Sequence, residues 1–135
     1  PGPKAPQDYP QTLKLLSNTD KPIFGVCLGL QFLVFAEGGR IEAYSPPRHG
    51  KTSQIKTYSI LKEQYPELNF SSVARYHSLA CRDFESHFDT WATSVDDDKP
   101  MWLQHKNKKR MGVQFHPESF LTEKSDIVRR ALLSW

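Results

Sequence analysis

The residues best suited to do chemistry are Cys27, His116 and Glu118. Residues 25–29 read G-V-C-L-G, which fits the thiol form of a nucleophile elbow, where a strand turns abruptly into a helix. Glycines two positions before and after Cys27 would remove side chains that clash at such a turn. The free N–H groups at the helix start, that of Leu28 included, would favour a thiolate and an oxyanion. The pattern predicts a thiol nucleophile.

The alternative is that Cys27 is an apolar residue buried at the end of a core strand, because cysteine is among the most buried residue types. The second cysteine, Cys81, has no flanking glycines and is interpreted as structural.

A thiol nucleophile needs a base, and the chain has five histidines. His116 follows the apolar end of a predicted strand, the position at which ligands bind in open α/β sheets. Pro117 stiffens the link to Glu118 and disfavours a helix at His116. The glutamate could fix the imidazole tautomer, leaving the other ring nitrogen free to take the thiol proton. Taken alone, the segment is better explained by a loop histidine beside a solvated glutamate; together with the thiol turn at Cys27, the catalytic interpretation is favoured.

Hydrophobic patterns predict the elements that must position these groups. Residues 23–27 are predicted to form a buried strand, and residues 28–37 a buried helix that ends at two glycines. Asp8 is predicted to cap a helix that runs through Leu16. A short strand over residues 40–44 is expected to stop at Pro46-Pro47.

The rest of the chain reads mainly as strands. The predicted elements are strands or a hairpin over 51–60, one helical turn within 61–68, strands over 70–76, 91–95, 101–105 and 111–115, a hairpin across 106–109, and a final helix over 122–135. The first strand–helix unit implies a parallel central sheet with antiparallel additions. We therefore predict an α/β fold.

Composition predicts one globular domain over residues 1–135, since 38% of the residues are hydrophobic and 24% charged. A net charge of +3 indicates neither a nucleic-acid partner nor a membrane surface. The basic run over residues 106–110 is interpreted as a solvated hairpin tip, and Asp96–Asp98 as a polar turn rather than a metal site. Two cysteines and no signal peptide favour the cytoplasm.

Two segments carry a resemblance to a known family. Residues 25–31 and 112–119 resemble the two signature segments of class I glutamine amidotransferases, and residues 1–3 resemble the end of that family's oxyanion loop. Residues 49–53, 75–79 and 119–123 are similar to component II of anthranilate and aminodeoxychorismate synthases. The resemblance implies the family's flavodoxin-like fold, an open and mostly parallel sheet with helices on both faces.

The resemblance also implies roles. Cys27 would attack the side-chain amide of L-glutamine, His116 would move the protons and Glu118 would orient His116. The N–H groups of Leu28 and Gly2 would form the oxyanion hole. The residues that would bind glutamine are Gly2, Pro3, Lys4, Gln31, Ser78 and Leu79. Ammonia would pass to a chorismate-binding synthase, component I, either separate or fused; this subunit would need no cofactor, and the synthase would need Mg²⁺.

Three departures from the family's pattern bear on these roles. Leu30 stands where this subgroup usually has His, outside the triad. Lys4 stands where the oxyanion loop often has a second Gly, which would change the path of that loop. The family's domain has further strands before the Pro1–Pro3 segment; without them we expect an unpaired, apolar sheet edge.

Two other functions are compatible with these residues. The chain could be a docking subunit of the same synthase with impaired hydrolysis, or a stand-alone cysteine hydrolase of γ-glutamyl compounds. The intact Cys27, His116 and Glu118 favour catalysis over the first, and residues 75–79 and 119–122 favour a synthase component over the second.

Overall fold

The computed structural model describes residues 4–134. The strands are β1 (Ile23–Val26), β2 (Arg40–Thr57), β3 (Ser72–Arg82), β4 (Phe88–Ser94), β5 (Pro100–His105) and β6 (Arg110–Val113). The helices are α1 (Pro10–Ser17), α2 (Leu28–Ala36), α3 (Ser59–Gln64) and α4 (Ser125–Leu133), with 3₁₀ turns at Pro6–Asp8 and Pro66–Leu68. The predicted α/β fold is confirmed.

One sheet of six strands carries the fold, in the order β1-β6-β5-β4-β2-β3. Among the strands of residues 4–134, only β1 and β6 pair in parallel, with Gly25 opposite Gly112. The other four pairings are antiparallel. Within residues 4–134 the sheet is therefore mixed, with one parallel pair and many of the expected antiparallel additions, because the short connections in β4–β5–β6 reverse the chain at each step.

Helices cover both faces of the sheet, as predicted. Residues of α1 and α2 pack into one apolar cluster, with Leu30, Leu33 and Leu103 almost fully buried. Residues of α3 and α4 pack into a second cluster around Trp102 and Phe115. Each helix thus buries its apolar residues against the sheet, which positions the strand ends that carry the site.

Strand β2 does not stop at Pro46-Pro47, contrary to prediction. Its pairing with β3 breaks after Ala43, opposite Leu79, and resumes at Arg48, opposite His77. Proline removes a ladder donor and is tolerated where strand pairing is irregular. The end of β2 also pairs with β4, so residues 51–57 form a shared strand and not a hairpin.

The other differences concern element ends. Helix α1 begins at Pro10, and its N-cap Tyr9 makes no side-chain bond. Asp8 instead accepts a hydrogen bond from the Ala5 N–H at 2.9 Å, so its predicted capping role is wrong. Proline suits the first helical turn because its missing N–H is not needed there. The last helix begins at Ser125, three residues later than predicted.

Strand β1 has a strand neighbour on one side only within residues 4–134. A groove of about 480 Å³ lies beside it, lined by Phe24, Val26 and Leu132, with Glu118 among its polar lining residues. This matches the expected apolar edge. No helix in the described part of the chain is both long and apolar enough to cross a bilayer.

Candidate active site

Cys27 occupies the turn between β1 and α2. Its backbone has φ 52° and ψ −104°, a conformation that costs energy for a residue with a side chain. The Cys27 N–H donates to the Val113 carbonyl at 2.7 Å, which anchors the turn to β6. The predicted elbow geometry is therefore present, and it places Cys27 at the start of α2, where backbone N–H groups are free.

The two flanking glycines do not play the same part. A Cβ on Gly25 would lie 2.4 Å from the carbonyl carbon of Gly29, because α2 crosses β1 at that point. A Cβ on Gly29 would meet no described atom within 4 Å. The prediction that both glycines relieve a clash is right for Gly25 and, within residues 4–134, wrong for Gly29.

His116 follows β6, which ends at Val113, two residues earlier than predicted. The His116 N–H donates to the Ala74 carbonyl at 3.0 Å, and its carbonyl accepts from Thr122 Oγ1 at 2.6 Å. Thr122 Oγ1 also accepts from the Ala74 N–H at 3.0 Å. Strand β3 and Thr122 therefore fix the backbone on both sides of His116.

The imidazole of His116 is hydrogen-bonded to a carboxylate, and the Cys27 sulfur acts on its pKa. Its Nδ1 lies 2.6 Å from Glu118 Oε1. Interaction with the Cys27 sulfur, followed by that with Glu118, raises the pKa of His116 to about 9, against the opposing effect of burial. Burial opposes ionisation of Glu118, but the bond with His116 lowers the pKa of that carboxyl below its usual value. This arrangement can transfer a proton between sulfur and imidazole.

Two side chains beside this group were not singled out from the sequence. Tyr76 packs edge-on against His116, with ring centroids 5.2 Å apart. Gln114 is buried, and its Nε2 lies 3.5 Å from Cys27 Sγ. Both belong to the segments that carry the resemblance, and the polar Gln114 in an apolar run was the available signal.

The residues predicted to bind glutamine are only partly gathered at this site. Gln31 lies in α2, where its buried amide donates to the Leu79 carbonyl at 3.2 Å. Ser78 and Leu79 lie in β3. Lys4 is exposed, with its ammonium 6.0 Å from the Tyr9 ring centroid. Leu28 begins α2, whereas Gly2 and Pro3 lie outside the described residues.

A buried polar network lies behind β3. Arg75 is fully buried; its Nε donates to His77 Nε2 at 3.0 Å and its Nη1 to Asp97 Oδ2 at 2.9 Å. His77 Nδ1 lies 2.9 Å from the Leu79 carbonyl. Because Nε2 accepts a bond from Arg75, the proton sits on Nδ1. Burial lowers the pKa of His77 to about 4, so His77 is neutral and its two ring nitrogens are both engaged.

Asp97 anchors the outer end of this network. Burial opposes its ionisation, but hydrogen bonds from Ser94, Tyr44 and Arg75 lower the pKa of Asp97 to about 2. The aspartates do form a turn, as predicted, yet Asp97 also balances the charge of Arg75. That second role was not visible from spacing, because Arg75 lies 22 residues away along the chain.

Three side chains elsewhere, those of Glu37, His87 and His105, lie close enough to suggest a metal site. The bonding of His105 argues against one. Its Nδ1 accepts from the Asn107 and Lys108 N–H groups, each at 3.0 Å, so the proton of a neutral ring sits on Nε2, the atom that faces Glu37. A protonated nitrogen cannot ligate a cation.

The prediction of a solvated hairpin tip over residues 106–110 is wrong for Arg110. Its guanidinium is buried and donates to the Leu16 carbonyl at 2.7 Å and the Thr19 carbonyl at 2.9 Å. It also pairs with Glu37 at 3.1 Å. The exposed lysines 106, 108 and 109 fit the predicted tip.

Changing Glu118 to Gln is expected to lower the pKa of His116 from about 9 towards 6.5, but not fully, because Cys27 still acts on the ring. The stability due to charged His116 is fully present below pH 6.5 and is lost as pH rises through about 9. The stability difference between wild type and variant should therefore shrink above that pH. NMR titration and urea unfolding at several pH values measure both effects.

His77 provides the internal control in the same NMR titration. Its pKa near 4 depends on burial, and its ring contacts no part of the Cys27–His116–Glu118 group through a hydrogen bond. Near pH 4 His116 is charged in both proteins, so its repulsion of a charged His77 is unchanged and His77 should titrate alike in both. An unshifted His116 in the wild type would contradict the described geometry.

Comparison with known proteins identifies the family of the chain. The family model for class I glutamine amidotransferases matches residues 1–135. An anthranilate synthase component 2 from Methanocaldococcus jannaschii is 39% identical over 129 residues, which cover 94% of this chain and 64% of that relative. An aminodeoxychorismate synthase from Streptomyces griseus is 37% identical over 122 residues, which cover 90% of this chain and 16% of that relative.

The fold is also shared with solved structures. A glutamine amido transferase from Methylobacillus flagellatus superimposes with a TM-score of 0.71 at 18% identity, over 98% of this chain and 53% of that one. This chain thus spans less than two thirds of the length of several relatives that it matches. Because the family model matches residues 1–135 of this sequence, the chain belongs to the class I glutamine amidotransferases.

Proposed function

We propose that this chain is the glutaminase component of a chorismate-aminating synthase, and that Cys27, His116 and Glu118 hydrolyse L-glutamine. One observation carries the proposal. Cys27, at a strained strand–helix turn, interacts with an imidazole that a carboxylate holds at 2.6 Å through its other nitrogen. A thiol, a base and an orienting carboxylate in this order are what acyl transfer to sulfur requires.

The first half of the reaction forms a thioester. The Cys27 thiol gives its proton to His116 Nε2, and the raised pKa of His116 favours the resulting imidazolium. The thiolate attacks the side-chain amide carbon of glutamine and forms a C–S bond. The N–H groups of Leu28 and Gly2 stabilise the oxyanion. The C–N bond then breaks as His116 returns its proton to the departing nitrogen, and ammonia leaves.

The second half regenerates the enzyme. His116 takes a proton from water, and the hydroxide oxygen attacks the thioester carbon. The C–S bond breaks, glutamate leaves and the sulfur regains a proton from His116. Glu118 keeps the same ring nitrogen engaged throughout, so the imidazole neither rotates nor changes tautomer. This chemistry uses side chains and backbone N–H groups of this chain alone.

Glutamine recognition belongs to the same proposal. We assign the α-amino and carboxylate groups of glutamine to Gln31, Ser78 and Leu79, and further contacts with glutamine to Gly2, Pro3 and Lys4, as the resemblance implies. Support comes from the placement of Gln31, which is hydrogen-bonded directly to Leu79. Gln31 is also linked to Cys27 through Gln114. Lys4, which replaces a glycine of the family's pattern, would bring a cation to the oxyanion loop.

The partner and pathway are inferred from the relatives. Relatives with the names anthranilate synthase component 2 and aminodeoxychorismate synthase support a chorismate-binding partner that receives the ammonia. The resemblance implies that this partner would need Mg²⁺ for its own reaction. A thiol nucleophile suits a reducing compartment, and we place the complex in the cytoplasm. The choice between the two products rests with the partner.

Labelling with a diazoketone analogue of glutamine tests the proposal. The reagent alkylates a thiol that attacks it at the glutamine site, so we expect one adduct, mapped to Cys27 by peptide mass spectrometry. The full chain is labelled alone and in the presence of a chorismate-binding synthase, with an excess of glutamine as protection. An adduct elsewhere, or none in the complex, would remove the basis for a glutaminase and favour a docking subunit.

A further inference from the structure

Three buried amide and carbonyl groups form a chain that ends on the Cys27 sulfur. The Gln31 Nε2 donates to the Leu79 carbonyl and to Gln114 Oε1, each at 3.2 Å. The Gln114 Nε2 lies 3.5 Å from Cys27 Sγ. Gln31 and Gln114 are each only 2% exposed, so neither amide has ready access to water as a substitute partner.

The chemistry of the partners fixes which end of each amide faces which group. The Leu79 carbonyl can only accept, so Gln31 must present its Nε2 to it. That same nitrogen donates to Gln114, which must therefore present its oxygen. The Gln114 Nε2 is then left to face the sulfur. The Leu79 carbonyl, two hydrogen bonds away, thus determines that Gln114 presents a donor to the Cys27 sulfur.

The far end of the chain is held as firmly. His77 Nδ1–H donates to the same Leu79 carbonyl at 2.9 Å, and His77 receives a bond from the buried Arg75. The Leu79 carbonyl thus accepts from two donors. A reversed Gln31 amide would place its own oxygen against this acceptor, so the reversed orientation is disfavoured. The donor at the sulfur is preorganised before any substrate arrives.

An N–H donor at this distance acts mainly on the charged form of the sulfur. A hydrogen bond to a thiolate is stronger than one to a neutral thiol, and burial strengthens it further. His116 receives the proton on one side of the sulfur while Gln114 faces it as a donor, and both follow β6 in one short segment.

We propose that Gln114 is a further catalytic residue, whose amide N–H donates to Cys27 Sγ and stabilises the sulfur as a thiolate oriented towards its base. This inference rests on the proposed glutaminase function for its use, but the contact itself can be tested without glutamine. Removing the Gln114 N–H donor should slow every reaction that begins with the Cys27 thiolate.

Replacing Gln114 with Met tests this, because Met keeps the length of the side chain and lacks the donor. Alkylation of Cys27 by iodoacetamide at neutral pH should slow about tenfold, with the pH profile of the rate displaced to higher pH. Gln104→Met is the matched control, since Gln104 is a part-buried glutamine of β5. Its Cys27 should be alkylated at the wild-type rate. Melting temperatures of both variants report folding.

Glutamine hydrolysis, measured on the same proteins with the synthase partner, separates the two proposals. Parallel loss of alkylation and hydrolysis in Gln114→Met, with ammonia-dependent activity kept, supports both. Slower alkylation in a chain whose wild type hydrolyses no glutamine supports the contact and refutes the glutaminase. Wild-type alkylation at every pH in Gln114→Met overturns the inference.

A second measurement covers the case in which Gln114→Met does not fold. In the ¹⁵N-labelled wild-type chain, the carboxamide resonances of Gln114 should move with the same pH midpoint as the Cys27 alkylation rate. Those of Gln104 should stay fixed. Gln114 resonances that ignore the ionisation of the sulfur would overturn the proposed hydrogen bond without any variant.

Discussion

Changing Cys27 to Ser is expected to abolish glutamine-dependent activity and to spare the ammonia-dependent activity of the complex with its synthase. A hydroxyl in place of the thiol is much harder to ionise, and the sulfur's share in stabilising the imidazolium form of His116 is lost. Removing one member of a catalytic group that acts as a unit typically costs about 10⁴-fold or more. Comparing kcat/KM with glutamine and with ammonium salts measures the loss.

Cys81→Ala is the matched control, since it removes the other thiol. Cys81 is 2% exposed in the apolar cluster under α2, and burial raises the pKa of its thiol far above the usual range. It should alter stability but not the ratio of glutamine-dependent to ammonia-dependent activity. Equal loss of both activities in Cys27→Ser would show that the residue supports the fold or the partner and not glutamine chemistry.

Local signals explain why much of this site could be predicted. The glycines around Cys27 allow backbone conformations and close approaches that other residues do not, and the proline after His116 restricts the backbone before it. Such local signals can be recognised in the sequence alone. The strand–turn–helix at Cys27 and the antiparallel β5–β6 pair follow from signals of this kind, and the structure contains both.

Long-range pairing explains what could not be predicted. Strand β2 continues past Pro46-Pro47 because β3 pairs with it on both sides of the irregular stretch, and β3 lies far along the chain. The pairing of Arg75 with Asp97, and of Gln114 with Gln31, likewise joins residues whose separation carries no pattern. A buried polar residue can be suspected from its type, but its partner is decided by the fold.

The same distinction applies to the roles. Residue types and spacing made Cys27, His116 and Glu118 a reasonable hypothesis, whereas Gln114 could be connected to the sulfur only through coordinates. Gly2 and Pro3 lie outside the described residues, so their predicted roles rest on the resemblance. The site is thus best predicted where a reactive residue type coincides with a local backbone signal, as at Cys27 and His116. It is least predictable for a neutral amide such as Gln114.

Changing Gly25 to Ala is expected to destabilise the protein by about 3 kcal/mol, the upper part of the range for overpacking. The new Cβ would lie 2.4 Å from the Gly29 carbonyl carbon, 2.6 Å from its oxygen and 2.7 Å from the Leu30 nitrogen. All three are backbone atoms, which cannot rotate away as a side chain does. Relief requires α2 to move off β1, and Cys27 would move with it. Urea unfolding measures the loss of stability.

Gly29→Ala, four residues away in the same turn, shows whether the close approach of α2 is the cause. Its Cβ would meet no described atom within 4 Å, and alanine favours a helix over glycine by about 0.5–1 kcal/mol. This variant should therefore be as stable as the wild type or more so. If Gly25→Ala also unfolds at the wild-type urea concentration, the contact between β1 and α2 is looser than described. The sulfur would then lack the rigid support on which its encounter with His116 depends, since the same crossing that excludes a methyl group at Gly25 sets the position of Cys27.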